Sequence, residues 1–204
     1  MNPRAADWGT SITPWPFALG FGHSPPRRQV SAPLPVVPPL APPRLKRLDQ
    51  ALFNSVAAEA RQAPRLRRNH NLHRESDGVQ RFLNVLQPGT YVRPHRHLRE
   101  QPGTGFECFL VLQGEIGLLL LHDDGSVADT LRLQAHGPLR GIELAEGQFH
   151  TLVALTPDAV IFELKQGPYE PSRDKDFLDQ FPAEGTDAAA DQERNWRALF
   201  AGSV

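Results

Sequence analysis

From Glu107 to Gly167 the chain is a succession of short β-forming runs broken by turns, with no helical stretch between them. ECFLVLQG, EIGLLLL, ADTLRLQ and GIELAEGQFHTLVALTPDAVIFELKQG are rich in strand formers, and turn signals fall at Asp124-Gly125, Glu146-Gly147 and Pro157-Asp158. About eight such strands, with no crossover helices, are satisfied by an antiparallel two-layer barrel of jelly-roll type.

Inside this rhythm lies Gly89 to Gly114, GTYVRPHRHLREQPGTGFECFLVLQG. Side chains alternate faces in an extended segment, so His95 and His97 project to one side, where two imidazoles can grip one ion. Glu107 opens the next strand and shares a face with Phe109 and Val111. His150 lies in another strand-like run, AEGQFHTLVAL. Two or three imidazoles with one carboxylate suit iron, manganese, nickel, cobalt or zinc, with positions left open for water or substrate. Glu100 is a rival carboxylate, although it lacks the strand that follows Glu107. Pro102, Gly103 and Gly105 mark the stretch between as a loop insertion. Tyr91 and Arg93 share the parity of the histidines, which places both near the metal as candidate catalytic groups. An inward arginine needs a protein carboxylate or an anionic substrate group, and the sequence leaves both open.

Gly89, His95-x-His97, Glu107 and Gly114 resemble the first motif of the cupins, and Gly147-x-x-His150 resembles the core of the second. The resemblance implies an all-β antiparallel double-stranded β-helix, a jelly-roll cupin barrel, with one divalent metal ion held by His95, His97, Glu107 and His150. Nine residues separate His97 from Glu107 where cupins usually have three or four, and Ala145 stands where the second motif usually has proline.

Ahead of the strands, residues 1–43 hold 11 of the 20 prolines and little hydrophobic periodicity, the composition of a disordered extension. Trp8 and Trp15 are its candidate anchors. Leu45, Leu48, Leu52, Val56 and Ala60 then recur at helical spacing until Pro64, which predicts a short N-terminal helix against the barrel. If the chain from Arg67 to His73 is extended, Arg67, Asn69, Asn71 and His73 share one face, either solvated or lining a polar pocket. PRLRRNHNLH followed by VQRFLNVLQPGTYVRPHRH, with HTLVAL, FELKQGPYEPSRDKDF and PAEG, is similar to the WbuC family of cupin-fold metalloproteins, over roughly residues 45 to 185. That family takes its name from a gene context in bacterial surface-polysaccharide synthesis. The resemblance brings Lys165 and Tyr169, from its ExKxGPY piece, to the pocket edge beside Asn69, Asn71, His73 and Arg93 as substrate-binding candidates.

The domain reading is therefore an extension over 1–43, one cupin domain over 44–182, and a tail over 183–204 in which Trp196, Leu199 and Phe200 suit a short helix. A net charge of -1 gives no electrostatic reason to expect nucleic acid or an anionic membrane as partner. The one cysteine, Cys108, fits a reducing compartment, and no apolar run reaches membrane-spanning length, so the cytoplasm is the expected location. The expected partner is a small-molecule substrate, with a homodimer through a barrel edge as the expected assembly. Three functions suit this site: metal-dependent chemistry on a sugar-like or carboxylated metabolite, Fe(II)-dependent oxygenation, and non-catalytic metabolite binding.

Overall fold

The computed structural model describes residues 45–99, 103, 105–171 and 174–202. The proline-rich extension with Trp8 and Trp15, and the rival ligand Glu100, lie outside the described residues. Within them the chain is all-β apart from two helices, α1 (Gln50–Gln62) and α2 (Asp187–Ala198). The strands are β1 (Arg67–Asn71), β2 (Val79–Leu86), β3 (His95–Arg96), β4 (Phe106–Gln113), β5 (Glu115–Leu121), β6 (Val127–Gln134), β7 (Gly141–Ala145), β8 (Phe149–Ala154), β9 (Ala159–Gln166) and β10 (Asp176–Phe177). They form two antiparallel five-stranded sheets in the orders β1-β2-β9-β4-β7 and β10-β3-β8-β5-β6, the jelly-roll arrangement. The two strands beyond the expected eight include β3 and β10, which at two residues each are too short to leave a periodic signal.

A core drawn from both sheets joins Leu86, Phe109, Val111 and Ile161 to Ile116, Leu118, Leu133 and Leu152. Each fully buried leucine or isoleucine of this kind contributes about 1.5–3 kcal/mol, more than a typical single hydrogen bond. Two strands carry apolar residues on both faces because both faces are covered. In β2, Leu83 and Val85 point away from the barrel onto Phe53, Val56, Ala57 and Ala60 of α1. In β5, Leu119 and Leu121 pack with Trp196 and Phe200 at the C-terminal end. Gly117 lets Phe200 settle there, since a Cβ at that position would lie 2.4 Å from the ring.

α1 begins later than the leucine spacing suggests. Asp49 caps it, its side chain accepting the Leu52 amide at 3.1 Å, so Leu45 and Leu48 precede the helix and are exposed while Phe53 joins the buried face. The tail does form a helix, α2, capped by Thr186. The β4–β5 reversal turns on Gly114, whose φ of +71° and close approach to Thr156 admit no side chain. The loop ahead of β4 is gathered by one carboxylate: Glu146 accepts the backbone amides of Arg99, Gly103 and Gly105 at 2.7–3.0 Å. No helix among the described residues is long and apolar enough to cross a membrane.

Candidate metal centre

The two sheets bring four buried ligands together. His95 of β3 lies directly across from His150 of β8, His97 follows at the end of β3, and Glu107 enters from β4 of the opposite sheet. All four are at most 5% exposed, and one ligand atom from each lies within 4.8 Å of the others. Glu107 Oε2 is 3.1 Å from His97 Nε2 and 3.0 Å from His150 Nε2.

The backbone orients these rings. His95 Nδ1 is 3.0 Å from the Arg93 carbonyl, His150 Nδ1 is 3.0 Å from the Gln148 carbonyl, and His97 Nδ1 meets the Asp174 carbonyl. A carbonyl can only accept, so each Nδ1 carries a proton and each ring turns its Nε2 inward as the free ligand atom. His97 Nε2 and Glu107 Oε2 have no hydrogen-bond partner despite complete burial, because their close approach lacks hydrogen-bond alignment. Lone pairs converging on a carboxylate repel one another unless a cation lies between them. The donor set, three imidazoles and one carboxylate, is what a divalent transition ion takes. Burial, reinforced by the charge of Lys175, holds His95 well below the ordinary imidazole pKa and so keeps it neutral. Burial pushes the Glu107 pKa upward, but the attraction and hydrogen bonds that His150 and His97 offer when protonated prevail and hold it well below the usual carboxylate range.

A strap made by Asp174 to Phe177 supports the centre from outside. Its Asp174 carbonyl orients His97, while the Asp174 carboxylate takes the Lys165 ammonium at 2.7 Å. Lys165 sits directly across β4–β9 from Glu107, and both members of its ion pair are buried. Phe177, paired with His95 in β10–β3, lies 6.1 Å from that ring.

A cavity of about 840 Å³ opens onto the centre, lined by His95, Glu107 and His150 at its base. Of the residues singled out from sequence, Asn69, Asn71, His73, Lys165 and Tyr169 line it. His73 Nδ1 lies 2.8 Å from the Arg81 carbonyl and 3.0 Å from the Arg81 amide, so this ring is committed to the Arg81 backbone. Tyr91 and Arg93 do not line it. The Tyr91 ring stacks on Trp196 at 5.7 Å and its hydroxyl donates to the Pro182 carbonyl at 3.0 Å. Burial, moderated by Arg93, pushes its pKa up to about 12. Arg93 donates to the Leu178 carbonyl at 3.1 Å and lies over Phe177, with Asp179 at 3.5 Å, so its partners come from the protein. The parity expectation fails here because residues 87–94, which include Pro88 and Pro94, are not a strand, and alternation counted back from His95 has no ladder to run on.

Sequence reading missed Asn84 and Glu163, which line the same cavity. Asn84 Nδ2 donates to Glu163 Oε1 at 2.8 Å, and the remaining amide oxygen of Asn84 is buried without a partner. The available signal was polar residues at inward positions of apolar strands, Gln80 and Asn84 in VQRFLNVL and Glu163 and Lys165 in AVIFELKQ. Burial, then the Glu107 charge, raises the Glu163 pKa from 4.5 to about 7. A raised folded-state pKa means the folded chain binds the proton more tightly than the unfolded one. The stabilisation is full below 4.5 and is lost as pH rises through about 7. With metal chelated, wild type is therefore expected to lose more stability than Glu163→Gln between these limits, as read by denaturant titration at several pH values. Parallel curves would refute a buried, proton-holding Glu163.

A family of unknown function, DUF6016, matches residues 48–133. No curated protein matches the chain. Similar solved structures include KdgF from Halomonas sp., at 18% identity over 52% of this chain and 83% of that one, with a TM-score of 0.39. The capsular polysaccharide assembling protein CapF from Staphylococcus aureus is 20% identical over 53% of this chain, at a TM-score of 0.42, and the match spans 30% of CapF. A cupin superfamily protein from Desulfitobacterium hafniense is 17% identical over 49% of this chain and 76% of that one, with a TM-score of 0.38.

Proposed function

We propose that this chain is a cupin-fold metalloprotein of WbuC type, in which His95, His97, Glu107 and His150 hold one divalent ion and the cavity receives a small sugar-like or carboxylated metabolite. The observation that carries this reading is the convergence of three Nε2 atoms, each fixed by a backbone carbonyl behind its ring, on a buried carboxylate. Bound there, an ion of this class supplies Lewis acidity toward a substrate oxygen and lowers the pKa of coordinated water.

The protein's own residues define the rest. Val92, Phe109 and Leu152 form the apolar floor beside the ligands and limit water there. Asn69, Asn71 and His73 offer hydrogen bonds from the β1 side, while Lys165 keeps its charge engaged by Asp174 next to Glu107. Glu163 can hold or release a proton on the cavity wall near neutral pH. A role in surface-polysaccharide chemistry draws its support from the family resemblance of the motifs between residues 45 and 185.

The deciding measurement is elemental analysis of protein purified without added metal and without a histidine tag. About one equivalent of iron, manganese, nickel, cobalt or zinc is expected, together with a higher unfolding temperature than the chelated protein shows. A chain that stays metal-free after reconstitution with each of these ions would overturn the reading.

A further inference from the structure

We infer that the cavity wall formed by Asn84 and Glu163, with Asn69 and Asn71 beside them, is a subsite for the hydroxyl groups of an uncharged, polyhydroxylated ring ligand. This deepens the reading of the cavity as the binding site of a metalloprotein and rests on it.

The wall follows from strand register. Asn69 of β1 lies across from Asn84 of β2, while Asn71 lies across from Phe82, which in turn faces Glu163 of β9. Alternation then points Asn69, Asn71, Phe82, Asn84 and Glu163 into the cavity, and all five line it. Asn84 spends its amide N–H on Glu163 and leaves a buried amide oxygen unpartnered. That atom is an acceptor awaiting a donor, at a residue only 9% exposed. The Glu163 oxygen not engaged by Asn84 sits beside it as a second polar group. Adjacent acceptors on planar groups suit adjacent O–H donors, which is how vicinal hydroxyls are presented.

Charge favours a neutral ligand over an anionic one at this wall. Five basic and five acidic side chains line the cavity, and four of the basic ones are already engaged. Arg65 and Arg67 share Glu184 at 2.7 and 2.6 Å, Arg68 holds Glu59 at 2.9 Å, and Lys165 holds Asp174 at 2.7 Å. Among the described residues Lys175 is the lining cation with no carboxylate in a salt bridge. Aromatic surface completes the match: Tyr169 and Phe177 line the cavity while 36% and 41% exposed, offering flat apolar faces to the C–H side of a ring. The volume, about 840 Å³, admits a ligand of one or two rings.

The test is an NMR titration of the full-length chain, ¹⁵N-labelled and incubated with zinc. The probes are D-glucose, D-galactose and D-mannose, set against D-glucuronate and D-galacturonate. At least one neutral hexose is expected to bind saturably and to shift the side-chain amide signals of Asn84. Asn84→Ala is expected to raise its Kd about tenfold or more, because the site loses both the orphan acceptor and the group that orients Glu163. Glu163→Gln preserves the shape and is expected to weaken binding about threefold or more; it carries the test alone if Asn84→Ala does not fold.

Binding of uronates alone, no saturable hexose binding, or hexose affinity unchanged in the folded variants would each overturn the subsite. Zinc content is measured on the same samples, and hexoses are titrated whatever it proves to be. Zinc-loaded protein that ignores hexoses overturns this subsite and leaves the metal centre standing. Protein that takes up neither zinc nor, in parallel samples, iron, manganese, nickel or cobalt overturns the metal centre, while its hexose titration still decides the wall.

Discussion

Glu107→Ala is expected to reduce bound metal from about one equivalent to less than about a tenth of one, with the chain still folded. Glu107 supplies the one formal negative charge among the four ligands, and a water taking its place would not restore that charge. His97→Ala is expected to fall as far, since His97 is one of the three rings whose Nε2 is already aimed by a backbone carbonyl. His73→Ala is the control. It removes an imidazole that lines the cavity but has its Nδ1 committed to the Arg81 backbone, outside the four-residue cluster, and its metal content should match wild type. Thermal unfolding gives a second readout. At free metal about a hundredfold above Kd, binding adds about 2.7 kcal/mol, which for a chain of this size raises Tm by about 5–11 °C. That increment should vanish in Glu107→Ala and His97→Ala and persist in His73→Ala. Full metal occupancy in both ligand variants would mean that the ion sits elsewhere.

Lys165→Met is expected to be the costliest single change outside the ligands. It leaves Asp174 buried without its cation, and breaking a buried pair from one side costs about 3–5 kcal/mol, a fall in Tm of about 6–20 °C. Burial alone would raise the Asp174 pKa, but Lys165 outweighs it and holds the carboxyl below its ordinary 3.8. A depressed folded-state pKa gives stability that is present above 3.8 and lost as pH falls through the lower folded value. Lys165→Met removes that contribution, so the variant's deficit should be largest near neutral pH and shrink as the pH falls below 3.8. Lys165→Met/Asp174→Asn should recover much of the loss, because the orphaned charge is gone. Metal affinity of Lys165→Met should fall about tenfold to a hundredfold, since the strap it releases also orients His97. Unchanged unfolding in Lys165→Met would show that the pair contributes nothing net.

Part of the ligand set was legible from local rules, and the resemblance to the cupin motifs supplied the rest. Alternation along an extended segment puts His95 and His97 on one side, and the strand beginning at Glu107 fixes its face. The loop insertion between them was also readable from Pro102, Gly103 and Gly105, although nothing in the sequence tied Glu146 to its amides. Tyr91 and Arg93 show where the rule stops: alternation holds only while the chain is paired in a ladder, and around Pro88 and Pro94 it is not. Leu45 and Leu48 show a similar limit, because Asp49 caps the helix after them and a shared spacing does not make a shared helix.

By itself, then, the sequence determined the strand-and-turn rhythm and the all-β class, which rest on residue type and short-range periodicity, while the full set of four candidate ligands came from the resemblance of its motifs to the cupins. Only the tertiary structure decided that Asp174 orients His97 and neutralises Lys165, that Asn84 pairs with Glu163, and that Tyr91 packs on Trp196. Those contacts join residues 9 to 105 positions apart, through sheet register and strand crossings that the local chemistry of either partner does not encode.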